Sequence, residues 1–160
     1  MIIRKAEPGD LDGIAEVERL SFPPAEAADR GTIAARLSVY PDRFRVAEQD
    51  GIIAACVNGM TTDEPELRDE MYADASLHAP DGAWQMVFSV CTLPEYRGRG
   101  YAAALLRALI DDSRREGRKG LVLTCKDGLI GYYAALGFAD EGISASAHGG
   151  AVWHKMRLEF

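Results

Sequence analysis

From position 84 the chain reads Trp84-Gln85-Met86-Val87-Phe88-Ser89-Val90-Cys91-Thr92, then Leu93-Pro94-Glu95-Tyr96, then Arg97-Gly98-Arg99-Gly100-Tyr101-Ala102, and continues as an amphipathic run to Arg115. An apolar run, a glycine-rich turn and a run with helical spacing follow one another directly, so the stretch predicts strand, loop and helix. Gly98 and Gly100 let backbone amides approach a ligand with no Cβ in the way. A helix opening there aims unsatisfied N–H groups and the positive end of its dipole at the same point. The stretch is a candidate anion site that would suit a pyrophosphate. It is neither of the two commoner phosphate loops. No Lys-Ser or Lys-Thr pair closes the turn, and the third glycine and downstream acidic residue of a dinucleotide fingerprint are missing.

Upstream, Ile2 to Ala6 begins like a strand, and Pro8-Gly9-Asp10 offers a turn and an N-cap for Leu11 to Leu20, where Leu11, Ile14, Val17 and Leu20 recur at helical spacing. Ser21-Phe22-Pro23-Pro24 breaks that helix, and Glu26 to Val39 resumes the pattern. Arg43 to Glu48 and Ile52 to Met60 flank Asp50-Gly51, a strong hairpin signal. Thr61 to Gly82 turns acidic and reads as a loop with one helical turn around Glu66 to Tyr72. Downstream, Gly120 to Cys125 is a short buried strand, and Leu129 to Leu136 a compact helix closed by Gly137. Phe138 to Ile143 and Ala151 to Leu158 are two final strands. The order β-α-α-β-β-β-α-β-α-β-β predicts an α/β fold with one mixed sheet and helices on both faces.

At 160 residues the chain suits one domain, spanning 1–160. Hydrophobic content of 48% and charged content of 27% are those of a globular chain. No apolar run reaches bilayer length and Met1 to Lys5 does not look like a signal peptide, so a cytoplasmic location with no membrane partner is expected. Cys56, Cys91 and Cys125 each sit in an apolar run without CxxC spacing, which predicts buried thiols and no metal. A net charge of −7 argues against nucleic acid as a partner and suits a cationic small substrate. Against that background Arg97, Arg99, Arg107, Arg114, Arg115, Arg118 and Lys119 concentrate positive charge around the glycine-rich loop and its helix.

The Arg97-x-x-Gly100-x-Ala102 pattern resembles the acetyl-CoA pyrophosphate loop of the GNAT N-acetyltransferase superfamily. That resemblance implies the GNAT fold, a mixed sheet of about seven strands whose fourth and fifth members (84–92 and 120–125 here) splay apart where the loop begins, leaving a gap for the pantetheine arm. Tyr132-Tyr133-Ala134-Ala135-Leu136-Gly137-Phe138 matches the segment where such enzymes place a tyrosine beside the CoA sulfur. More narrowly, Leu123 to Leu129, Gly142, Gly149 and Met156 look like the arylalkylamine (serotonin) N-acetyltransferases. Phe22-Pro23-Pro24, Tyr40-Pro41-Asp42 and Ser76-Leu77-His78 extend that likeness over essentially the whole chain.

Carried over position by position, the resemblance implies that backbone groups of Val90, Cys91 and Thr92 hold pantetheine, and that Arg97, Gly98, Arg99, Gly100, Tyr101, Ala102 and Ala103 receive the pyrophosphate. Tyr133 then meets the sulfur as general acid. Phe22, Pro24, Met86, Phe88 and Trp153 line an apolar slot for the acceptor. The implied activity is direct transfer of acetyl from acetyl-CoA to a small primary amine in a ternary complex. A nucleophilic Cys91 is not expected, because it lies in the cofactor strand with no histidine beside it in sequence.

One departure bears on the chemistry. The vertebrate enzymes carry two histidines, one residue apart, where Met86 and Phe88 stand, and neither replacement can accept a proton. An aliphatic ammonium with a pKa of about 10 must still lose one before it attacks. Glu70, His78, His148 and His154 are the remaining bases considered, and His148 is the candidate catalytic group because Ala147, Gly149 and Gly150 leave it accessible. The departure keeps other acceptors open: a peptide N-terminus, a polyamine or an aminoglycoside, the polycations being suited to the acidic Asp63 to Glu70 segment. It also keeps open a non-catalytic acyl-CoA-binding regulatory domain. A homodimer is common in the superfamily, but the sequence shows no interface signature.

Overall fold

The computed structural model describes residues 1–160. Strand β1 (Ile2–Lys5) leads through a 3-10 turn into helix α1 (Leu11–Ser21). Asp10 does not cap the helix with its side chain. Its carboxylate accepts two hydrogen bonds from Arg4, at 2.7 and 2.9 Å, and one from the Glu7 amide at 2.7 Å, fastening β1 to the turn. Phe22 is extended, as the residue before a proline prefers to be, and α1 ends there. Helix α2 (Arg30–Val39) starts later than Glu26, because Asp29 caps it by accepting from the Thr32 amide at 2.8 Å.

Strands β2 (Phe44–Gln49) and β3 (Ile52–Asn58) form the expected antiparallel hairpin, and Asp50 and Gly51 take φ values of 52° and 77° at its turn. The acidic stretch contributes a short strand β4 (Thr61–Thr62), which the sequence reading places in a loop, and the helical turn α3 (Glu70–Ala73). Then come β5 (Trp84–Val87), β6 (Ser89–Thr92), α4 (Tyr101–Arg115), β7 (Gly120–Cys125), α5 (Ile130–Ala135), β8 (Ala139–Ile143) and β9 (His154–Glu159).

Where one sheet of about seven strands is expected, nine strands lie in two sheets, ordered β1-β2-β3-β6 and β4-β5-β7-β9-β8. The apolar run from Trp84 to Thr92 divides at Phe88, and the run facing it divides at Gly59 and Met60. Backbone bonding persists across the break: the Met86 amide donates to Met60 O and the Phe88 amide to Asn58 O, both at 2.8 Å. The approach is so close that a Cβ on Gly59 would lie 1.8 Å from Met86 O.

This division positions the site. Strand β5 runs parallel to β7 from Trp84 beside Gly120 to Val87 beside Leu123. Beyond that point β6 pairs only with β3, whereas β7 continues to Cys125 paired only with β9. Two cores flank the sheets, as a mixed fold with helices on both faces requires. Ile14, Val17, Ile33, Phe44, Met60 and Met86 fill one, and Leu105, Leu109, Leu121, Leu123, Phe138 and Met156 the other. Two nearly buried arginines brace β2 against the end of α4. Arg43 makes a paired contact with Glu116 at 2.9 and 2.8 Å, and Arg45 bonds Asp112. The three cysteines are free and buried, and no helix is long and apolar enough to cross a membrane.

Candidate active site

A cavity of about 250 Å³ occupies the opening between β6 and β7. Val87, Phe88, Ser89 and Val90 wall it on one side, and Leu123, Thr124, Cys125 and Lys126 on the other. A parallel pair of strands that separates leaves edge amides and carbonyls without strand partners, which is what an extended, amide-bearing arm can use. Val90 faces this cavity, but the Cys91 thiol points away and donates to Cys56 O at 3.5 Å. The Thr92 carbonyl is already engaged, accepting from Ser21 Oγ at 3.1 Å and Arg97 Nε at 3.2 Å.

The glycine-rich loop follows. Gly98 and Gly100 both have left-handed φ, 77° and 79°, and Gly100 is the N-cap of the fifteen-residue α4. A Cβ at either position would touch nothing within 4 Å, so backbone conformation, not crowding, calls for glycine in this loop. Arg97 to Gly100 are exposed. Arg99 lies over the Tyr96 ring at 5.2 Å, and Tyr96 stacks on Tyr101 at 5.9 Å, contacts that brace the turn. Ala102 and Ala103 continue the first turn of the helix. Exposed amides at a helix N-terminus, flanked by two arginines, are a chemically suitable donor set for a pyrophosphate.

Tyr133 is delivered to the cavity by α5 and is 6% exposed. Its ring makes edge contacts with Tyr132 and Phe138, centroids 5.1 and 6.0 Å away. No protein group hydrogen-bonds its hydroxyl, whose pKa burial raises well above the usual phenol range. It is therefore a protonated donor at neutral pH, free to serve a ligand.

The far wall is aromatic. Phe22, Phe88, His148 and Trp153 all line the cavity, together with Tyr72. Tyr72 lies 4.7 Å from Phe88 and stacks on His148 at 4.9 Å, centroid to centroid. The Trp153 indole N–H donates to His148 O at 2.8 Å, and Lys126 sits 5.7 Å over the indole ring while bonding Glu26 at 2.8 Å. His148 Nε2 is 2.8 Å from the Glu26 carbonyl. A carbonyl only accepts, so that nitrogen carries the proton.

Other residues named from the sequence are not brought here. Met86 is fully buried in the core under α1 and α2 and does not line the cavity, and Pro24 faces a separate depression beside Arg19 and Arg30. Glu70 pairs with Arg68 on the surface. His78 packs on Tyr40 at 4.8 Å and accepts from the Thr61 amide at 3.1 Å. His154 is held by Asp127 and Asp140. Of the four bases considered, His148 alone lines the cavity. No cluster of three or more His, Cys, Asp or Glu side chains is arranged to hold a metal.

Sequence reasoning missed Glu18, Tyr72, Ser89 and Thr124. Glu18, on α1, is 2% exposed, and its carboxylate accepts from Ser89 Oγ at 2.7 Å and from the Ala28 amide at 3.2 Å. Burial raises its pKa, against the opposing pull of those two bonds and of Arg36 and His148. A signal existed: Glu18 is seven residues after Leu11 and four after Ile14, which puts a carboxylate on the buried face. Tyr72, whose hydroxyl is 3.1 Å from Thr124 Oγ1, gave none, since nothing in an acidic loop reports where it folds. A second cavity of about 230 Å³ abuts the first; Glu18, Glu26, Tyr72, Phe88, Ser89 and His148 line both. Asp29, Thr32, Arg36 and Asp69 are its other polar lining residues.

Residues 11–138 match the Acetyltransferase (GNAT) family. The chain is 28% identical over 130 residues to the probable hydrolase YhcX of Bacillus subtilis (strain 168), a match covering 77% of this chain but spanning only about a quarter (25%) of that relative's length. Among solved structures, the GphF GNAT-like decarboxylase in complex with isobutyryl-CoA superposes with a TM-score of 0.85 at 20% identity, covering 99% of each chain. The ribosomal-protein-S18-alanine N-acetyltransferase of Escherichia coli does so with a TM-score of 0.73 at 22% identity, over 99% of this chain and 92% of its own. At such identities these structures share the fold with this chain.

Proposed function

This chain belongs to the acetyltransferase (GNAT) family, and from that membership we propose that it transfers acetyl from acetyl-CoA to the primary amine of a small molecule, an arylalkylamine, directly within a ternary complex. The observation that carries the acceptor class is the aromatic wall of Phe22, Tyr72, Phe88, His148 and Trp153 facing the same cavity as Tyr133. Such a wall would bind a planar apolar group and leave its amine beside the place where the strands separate.

The donor's phosphates fit the amides from Gly98 to Ala103 with Arg97 and Arg99 beside them, and its pantetheine arm fits the opening next to Val90. GphF, of the same fold, is described in complex with isobutyryl-CoA, which supports an acyl-CoA donor here. Attack of the amine lone pair on the thioester carbonyl forms the C–N bond and breaks the C–S bond, and Tyr133 supplies the proton the sulfur needs as it leaves. Holding both partners against one opening supplies the orientation on which direct transfer depends.

The test is CoA release from acetyl-CoA in the presence of tryptamine, phenethylamine, spermidine, an aminoglycoside or a short peptide. All three protein thiols are buried, which favours a thiol readout. Release with the two arylalkylamines is the expected result. A peptide N-terminus is the second reading, favoured by the adjoining cavity, which leaves room for an acceptor longer than one aryl group. Release with the peptide alone would select it. Acetyl-CoA binding with no release would point to the non-catalytic reading, and amine-independent loss of CO2 from a carboxyacyl-CoA would replace amine transfer with the chemistry described for GphF.

A further inference from the structure

An ammonium acceptor needs a base to take its proton, and neither Met86 nor Phe88 can accept one. We propose that Glu18 is that base, a buried carboxylate with no cation bonded to it, set where the two cavities abut and one hydrogen bond from the strand that borders the opening. The proposal rests on the amine-transfer reading above.

A buried carboxylate is normally paired with a cation. The groups bonded to Glu18 are both neutral donors, the Ser89 hydroxyl and the Ala28 amide. They leave about half of its lone-pair sites free. Arg36, the buried cation nearby, gives its hydrogen bonds to Asn58 Oδ1 and Tyr72 O and leans on the Phe88 ring at 5.0 Å instead. The missing cation is one a substrate could supply. Tyr72, Phe88 and His148 line both cavities with Glu18, so aromatic faces surround the same place and would favour an ammonium there.

Ser89, which holds Glu18, opens β6 and lines the opening together with its neighbour Val90. The carboxylate is therefore held beside the acyl end of the proposed donor site, whereas His148 has one ring nitrogen committed to the Glu26 carbonyl. The titratable groups around Glu18 are Arg36 of α2, Cys56 and Cys91 of β3 and β6, Tyr72 of α3, and Glu26 and His148 from the loops. Desolvation raises its proton affinity, which narrows the gap to an alkylammonium.

The step balances as follows. Glu18 takes one proton from the ammonium and frees the nitrogen lone pair, which attacks the thioester carbonyl. The second proton lost by nitrogen replaces the one Tyr133 gives to sulfur, and the proton on Glu18 returns to solvent.

The experiment is the pH dependence of kcat/KM with tryptamine, from about pH 6 to pH 10, for the wild type and for Glu18→Gln, Ser89→Ala and His148→Gln, with acetyl-CoA affinity measured in parallel. Glu18→Gln should lower kcat/KM about 10²-fold at neutral pH, leave acetyl-CoA affinity unchanged, and recover toward wild type as bulk deprotonation of the amine takes over near its pKa of about 10. Ser89→Ala removes a bond to the charged form and should move the acid limb of the profile to higher pH, a shift readable even if Glu18→Gln fails to fold. A loss equal at every pH, an unmoved acid limb in Ser89→Ala, or the recovering profile appearing in His148→Gln instead would each overturn the assignment. Failure of the underlying reading looks different: the wild type releases no CoA with any amine, and the assignment falls with it.

Discussion

Tyr133 illustrates how far a single residue can be read in each direction. The pattern through Leu136-Gly137-Phe138 picks it out, yet only packing shows that its hydroxyl has no protein partner while its ring is fixed by Tyr132 and Phe138. Tyr133→Phe keeps those ring contacts and removes the hydroxyl that would donate the proton. We expect kcat to fall about 10²-fold while acetyl-CoA affinity is unchanged; a variant with undiminished kcat would remove Tyr133 from the mechanism. Met86 and Phe88 show the reverse case. Two residues apart on one strand, they share a face by parity. Met86 nonetheless lies wholly in the core and Phe88 reaches the cavity, because the ladder breaks at Phe88. Glu18 became visible once α1 was packed: the buried stripe runs through Ile14, Val17 and Glu18, and Leu20, the expected fourth apolar member, is exposed.

Among the elements, the strand-loop-helix unit from Trp84 to Arg115 came through close to its expected bounds, since each part rests on local signals: an apolar run, two glycines at left-handed φ, and a long amphipathic period. The division of that strand into β5 and β6 had no such signal. It depends on Gly59, far earlier in the chain, where the Met86 carbonyl occupies the space a side chain would need. Gly59→Ala should therefore destabilise the fold by at least about 2 kcal/mol, because the obstructing atom belongs to the backbone and cannot rotate aside. Thermal or urea unfolding measures this, and an unchanged midpoint would mean that the two strands can part without cost. Pleat parity and hydrogen-bond partners across such breaks are long-range properties, so short strands such as β4 escape a reading that looks only at neighbours in sequence.

At the scale of the whole molecule, a half-buried histidine and a buried carboxylate pull stability in opposite directions with pH. His78 has its pKa lowered, first by burial and further by Arg43 and Arg118, against Asp42. The unfolded chain therefore takes up the proton before the folded one, and stability from His78 is lost as pH falls below about 6.5. Glu18 has its pKa raised by burial, so the folded chain holds that proton more tightly, and acidification toward the ordinary carboxylate range adds stability. His78→Asn removes the first contribution. Between about pH 7.5 and 5.5 its melting temperature should rise relative to that of the wild type, and parallel curves for the two proteins would refute the account. The amino-acid sequence by itself determined the order of the main elements, the hairpin at Asp50-Gly51, the glycine-rich helix start and Tyr133, because turn chemistry, periodicity and conformational freedom act between residues close in the chain. Only the tertiary structure decided which strands part, that Glu18 and Tyr72 meet Phe88 and His148 around two abutting cavities, and that Met86, Pro24 and three of the four bases considered lie elsewhere. The physical reason is that burial, pairing and cavity shape belong to surfaces formed by segments far apart in sequence, and no local pattern carries that information.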